Sequence, residues 1–461
     1  SLLEDSHYQP FAGIYSTYMI PNTGSDRDRL TLLMQCIKAV YASVYYQESK
    51  AYMTSTSNLI DEEKMAIVLQ EVCGFTEEDY FFPVLSGVAR SVNFYPISPE
   101  KAEDGVVSIA YGLGKYIVDG GMSLRFSPRY PEKAIQLSST EMMLKDTQKE
   151  FFAINLKRNL FTPKVDDNAH IERFAVSDGD QFKTFRLVAS TYDYHDDRVV
   201  DGIIQKGMRI ITFNNFLKHN VFPLAEMMKD ILEISSSEMG KPVEIEFAVN
   251  MDGRGHHKVF NLLQIRPIVN NRENLTIMPE QIVREKCIVV SESALGNGVY
   301  DNICDVVYVV PEKFNAAETL QLAQVIEQLN KTLMAEKRNY LLIGPGRWGS
   351  SDPWLGIPVK WSQISAARVI VEAGMNHFHI EPSQGTHFFQ NLTSFRVAYF
   401  TVNDFIKQGI YNTAFLNAQE ALFDNGVIRH VRFDKPMEIL VDGKKHLGIV
   451  SMPGMKAISG I

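Results

Sequence analysis

In the run VEIEFAVNMDGRGHHKVFNLLQIRPI, residues 243–268, two carboxylates, an amide and a guanidinium interrupt otherwise apolar stretches. Read as a strand, the first stretch places Glu244, Glu246 and Ala248 on one side and Val243, Ile245, Phe247 and Val249 on the other. On the return stretch Leu262, Gln264 and Arg266 share one side, and Leu263, Ile265 and Pro267 the other. A turn centred near Arg254 sets even positions against even positions. Glu244, Glu246, Gln264 and Arg266 then fall on one surface, with Ile245, Phe247, Leu263 and Ile265 packed behind it; a slip of one residue separates them. Carboxylate and amide oxygens are the hard ligands Mg²⁺ prefers, and a guanidinium meets phosphate oxygens through paired hydrogen bonds. Such a surface suits a magnesium nucleotide. A plain amphipathic hairpin, its glutamates in water and Arg266 paired with one of them, is the competing reading.

Two stretches of the second half also carry chemistry-bearing residues. In HFHIE a strand would put His377, His379 and Glu381 on one face, with His387 after the PSQGT turn. Imidazole and carboxylate at that spacing can hold a transition metal, but histidines on a half-buried strand more commonly make ordinary hydrogen bonds, so these positions are expected to be metal-free. His387 is the best candidate in this half for a phosphate-accepting histidine. The stretch GPGRWGSSDPWLGIPV, residues 344–359, is read as a tight surface loop built by Gly344, Pro345, Gly346 and Gly349. An anion nest at Gly346 and Arg347 is the alternative.

The rest of the chain must position these groups. Its 461 residues are 45% hydrophobic and 22% charged, enough for two or more domains with sizeable cores. A formal net charge of -9 argues against a general affinity for nucleic acid or anionic membrane. No stretch has the length of a transmembrane helix, and SLLEDSHYQP lacks the basic start and apolar core of a signal peptide, so a cytoplasmic setting is expected. Cys36, Cys73, Cys287 and Cys304 are widely spaced and read as reduced and buried. The chain begins at Ser1 inside a polar segment, as a piece of something longer would.

Apolar residues at helical spacing predict a helix over 26–48 and others over about 217–234 and 316–336, with a helix-like segment over 363–373. Strands are expected at 64–72, 86–94, 287–290 and 306–310, and 106–121 reads as a strand entering a glycine-rich turn. NNRENLTIMPEQ, residues 270–281, reads as a linker. The mixture predicts an α+β or mixed α/β layout, divided into residues 1–270 and an independent α/β domain over 271–461. The core of that second domain is expected to include Val289, Val307, Val309, Leu342, Ile370 and Phe388.

LLEDSHYQPFAGIYSTYM, YASVYY, MAIVLQEV, SGVA, AYGLGKYIVDG, EIEFAV and LLQIRPI follow one another in the order of a known family. Over about residues 1–270 the chain resembles the nucleotide-binding part of phosphoenolpyruvate synthase and pyruvate phosphate dikinase. The resemblance implies a partial ATP-grasp domain that binds ATP and Mg²⁺ and phosphorylates a histidine on a separate mobile domain of a longer chain. It also implies site roles: Glu244 and Glu246 hold the nucleotide and its metal, Gln264 assists as a metal or phosphate ligand, and Arg266 contacts the phosphates. Glu246 and Arg266 are then the residues that serve transfer. The family's GLGE reads GLGK here, with Lys115 in place of the glutamate. The family's phosphate-binding lysine and arginine would lie upstream of Ser1, leaving a half-site that binds ATP weakly and a chain inactive by itself. LGIPV, residues 355–359, is similar to the segment after the family's phosphohistidine, with Ser350 and Ser351 in place of the histidine. The residues after 270 are too few for the family's pyruvate barrel, which takes about 250. An ATP-dependent phosphotransferase module is the leading expectation. A nucleotide-binding regulatory or scaffold protein without turnover is the alternative.

Overall fold

A computed structural model describes residues 13–458, apart from 14, 47–48, 51–64, 94–95, 98, 158–167, 205, 255, 269–276, 351, 353, 375–396, 404–407 and 444. His377, His379, Glu381, His387 and Phe388 therefore lie outside the described residues. The fold mixes helices and sheets, and the chain divides into two compact units that meet in sequence at Ile268 and Val269.

The first unit opens with the helix Asp26–Ser43, started by Ser25, whose Oγ accepts the Asp28 N–H at 3.2 Å while the Asp28 carboxylate accepts the Ser25 N–H. It stops five residues short of the expected end. Beyond it, the Ser49 hydroxyl donates to the Ser43 carbonyl, taking an acceptor that another helical turn would use. The run Met65–Val72, expected as a strand, pairs with none: a β-prone sequence becomes a strand only when a neighbour supplies its ladder, and Val68 and Leu69 stay exposed here. The helix expected at 217–234 is Leu224–Met239.

A five-stranded sheet organises the unit, in the order Lys258–Pro267, Val243–Met251, Leu85–Arg90, Val106–Ala110 and Leu124–Phe126, each antiparallel to its neighbour. Its inner strands are buried throughout or nearly so. Gly87 permits the packing: a Cβ there would sit 2.2 Å from the Phe247 ring, which also stacks on Phe260 at 5.4 Å. Smaller sheets of four and three strands share the unit, and Phe82, Tyr111, Phe151 and Phe185 join the same apolar core.

The second unit is built on a ten-stranded mixed sheet. Strands Asn297–Val309, Tyr340–Pro345, Ala367–Ala373 and Ala398–Val402 run parallel side by side, and the helix Thr319–Ala335 connects the first two. The helix-like segment expected over 363–373 is thus mainly a strand. Val369, Ile370 and Val371 are β-branched and buried, as a parallel strand covered on both faces requires, and such a run lacks the alternation that announces an amphipathic strand. Val289, Val307, Val309, Leu342 and Ile370 are all buried. Ile277, read as part of a linker, is buried in this unit, and its N–H is held by the Asp442 carboxylate at 2.9 Å.

Gly344 to Ser350 are not the surface loop expected. Tyr340–Pro345 is a fully buried strand, and the Trp348 indole lies over Gly344, where a Cβ would come within 2.3 Å of the ring. An anion nest is excluded as well. The N–H groups of Arg347, Trp348 and Gly349 are committed to the Leu355 carbonyl, the Glu372 carboxylate and the Ile357 carbonyl.

Candidate functional site

The hairpin has the expected register at its closing end: Glu244 lies opposite Arg266 and Glu246 opposite Gln264. Cross-strand partners share a face, so the four polar side chains belong to one side of the sheet. Beyond Glu246 the pairing slips by one, with Phe247 opposite Leu262, which leaves Leu263 as the extra residue of a bulge. The bulge corrects the expected backing of the site. Leu262 takes the place opposite Phe247, and Ile265 is 37% exposed, because this strand is the sheet's edge and the inner strands fill the core.

Arg266 joins the other members of the cluster. Its Nη2 donates to Glu246 Oε1 and, at 3.0 Å, to Gln264 Oε1. Two acceptor oxygens from adjacent strands thus converge on one cation, in a pair that keeps 21% and 25% side-chain exposure for Arg266 and Glu246. Burial pushes the Glu246 carboxyl up from its ordinary value; Arg266 opposes that shift and the neighbouring Glu244 adds to it.

Glu244 lies in a different setting. It is 4% exposed, and Arg90 Nε and Nη2 stand 2.6 and 2.5 Å from its Oε2. Arg90 escaped the reading of the sequence, although SGVAR ends an apolar strand on an arginine much as LLQIRPI does; the face rule applied to the hairpin would have flagged it. Further along this side, Val88 and Ser108 continue the row of Glu246, and Arg125 follows opposite Ser108. Lys115 heads a short helix and pairs with Asp119 at 3.2 Å. Its neighbour Gly114 packs against Ser86, on the same side of the sheet.

Comparison with known protein families matches residues 1–286 to "Pyruvate phosphate dikinase, AMP/ATP-binding domain". The chain belongs to that family. The match covers the five-stranded sheet and the whole Glu244–Arg266 cluster, and it reaches beyond the 270 residues over which the motifs run. The matched family segment is an AMP/ATP-binding domain. No curated protein matches the chain. Among the described residues no group of three His, Cys, Asp or Glu is gathered as a metal site, and no helix is long and apolar enough to cross a membrane.

The donor set nevertheless fits a magnesium ion carried by a nucleotide. Glu246 and Gln264 present hard oxygens to a common cation, which is Arg266's own guanidinium, and Mg²⁺ takes few protein ligands when phosphates and water complete its shell.

Proposed function

We propose that residues 1–270 form a partial ATP-grasp nucleotide-binding domain of an ATP-dependent phosphotransferase that acts within a longer chain, and that residues 271–461 form a separate α/β domain. The supporting observation is the convergence of Glu246 and Gln264 on Arg266, in an ATP-binding family domain. Glu246 and Gln264 take the metal side of the nucleotide, Glu244 lines the site beside them, and Arg266 turns to the phosphates. Mg²⁺, when bound, neutralises charge on the triphosphate. Phosphoryl transfer asks mainly for such positioning and charge compensation, so carboxylate, amide and guanidinium are fitting parts of such a site, with no covalent role for the domain. The acceptor in this reading is a histidine elsewhere on the longer chain. The net charge and four free cysteines suit a cytoplasmic protein with no nucleic-acid or membrane partner.

Lys115 favours the second reading, a nucleotide-binding regulator or scaffold without turnover, since it stands where the family's glutamate is expected and is engaged with Asp119. Incubation of the longer chain with ATP labelled on the γ-phosphate separates the two. Stable label on a histidine supports transfer. Label confined to bound ATP, released by dilution, supports the regulator.

A further inference from the structure

The polar side of the five-stranded sheet holds a second arginine for which the proposed reading has no task. Arg90 ends its strand opposite Glu244, which is itself opposite Arg266 on the edge strand, so one row runs Arg266, Glu244, Arg90 across three strands. In the adjacent row Glu246 faces Val88 on its inner side. Register therefore gives Glu244 an inner arginine and leaves Glu246 to the edge.

The two carboxylates differ in how readily their partners can be exchanged. The Arg90 and Glu244 side chains are 5% and 4% exposed, whereas those of Arg266 and Glu246 are reached by solvent. Separating the inner pair would pull apart two opposite charges in dry surroundings, which is strongly unfavourable. Separating the outer pair lets water, phosphate or a cation replace each partner. We propose that Arg90 is a positioning residue of the nucleotide site: by keeping Glu244 in a buried ion pair it withdraws that carboxylate from metal coordination, and leaves Glu246 with Gln264 to meet the metal of the incoming nucleotide. Two glutamates that alternate identically in the sequence thereby do different work. The inner one fixes the hairpin against the sheet and the outer one exchanges its arginine for a cation. This inference rests on the nucleotide reading of the same site.

The test is equilibrium binding of ATP to the longer chain over a Mg²⁺ series, for the wild type, E244Q and E246Q, with Mg²⁺ binding also measured without ATP for R90M and R90M/E244Q. E246Q, which keeps only a neutral amide oxygen for the metal, should sharply weaken the Mg²⁺ dependence. E244Q should weaken ATP binding through a loosened hairpin while keeping the Mg²⁺ dependence. R90M, which releases the Glu244 carboxylate, should raise nucleotide-free Mg²⁺ affinity by about tenfold or more, and R90M/E244Q should reverse that gain. Loss of Mg²⁺ dependence in E244Q as complete as in E246Q overturns the inference, as does a folded R90M with no gain. If R90M does not fold, the contrast between E244Q and E246Q decides. A wild-type longer chain with no Mg²⁺-dependent ATP binding overturns the nucleotide reading itself, and this inference with it.

Discussion

Replacing Arg266 by methionine keeps the length and apolar stem of the side chain and removes its charge. In the nucleotide-free protein the loss is small. Its ion pair with Glu246 is a fifth to a quarter exposed, and such pairs contribute about 1 kcal/mol at most. With nucleotide bound the loss is larger, since each charge-assisted hydrogen bond to phosphate is worth roughly 1.5–3 kcal/mol. Subtracting the first quantity from the second leaves about 0.5–2 kcal/mol per phosphate bond, a weakening of roughly two- to thirtyfold. Arg266→Lys should fall between the two, because an ammonium keeps the charge but not the planar fork that meets a phosphate through paired hydrogen bonds. Calorimetric titration of the longer chain with ATP at fixed Mg²⁺ measures the difference, and circular dichroism checks the fold. An R266M variant that is folded and binds ATP as the wild type does would refute the assignment of Arg266 to the phosphates.

Three further outcomes follow from the same geometry. Because burial raises the Glu246 carboxyl, protons should compete with the metal at a pH above the ordinary glutamate range, so at subsaturating Mg²⁺ the Mg²⁺-dependent ATP binding should weaken as pH falls through that window; a Mg²⁺ affinity that the E246Q substitution leaves equally pH-dependent contradicts it. In the second unit burial alone would raise the fully buried Asp305 carboxyl, but hydrogen bonds from His430, Arg432 and Arg338 at 2.6–2.8 Å overcome it and bring it down to about 2. Its ionised form therefore stabilises the fold above about pH 4, and the wild type should lose roughly 2 kcal/mol between pH 4 and pH 2 that Asp305→Asn does not lose. The three tryptophans, Trp348, Trp354 and Trp361, all lie in this unit, so their fluorescence in urea titrations reads its stability directly. By the same readout Gly344→Ala should destabilise the unit by about 1–3 kcal/mol through overpacking against Trp348, and an unchanged urea midpoint would show that the indole has room to shift.

The hairpin was legible because alternation and a short turn fix both its faces and its register, and polar residues on an inner strand stand out against apolar neighbours. Arg90 carries the same signal, yet its meaning depends on a partner more than 150 positions away in sequence, and no local pattern reveals that pairing. The bulge at Leu263 was invisible for a related reason: alternation specifies a face but does not say where a ladder gains a residue. Residues 367–373 misled because a strand buried on both sides carries no period, and 65–72 misled because β propensity without a neighbour makes no strand. Glycines in GPGRWG suggested a surface turn; Gly344 instead admits the Trp348 ring close to the backbone, and Gly346, at positive φ, admits the Leu355–Gly356 backbone, uses the sequence does not distinguish from a surface turn.

The central claim is that the polar side of the Glu244–Arg266 hairpin receives the phosphates and metal of ATP. A crystal structure of the protein with a non-hydrolysable ATP analogue and Mg²⁺ tests it most directly. The account predicts the metal in contact with Glu246 and Gln264, Arg266 turned from them to a phosphate oxygen, and the Arg90–Glu244 pair still closed. An analogue bound on another face, with Arg266 still held by Glu246 and Gln264, would contradict it.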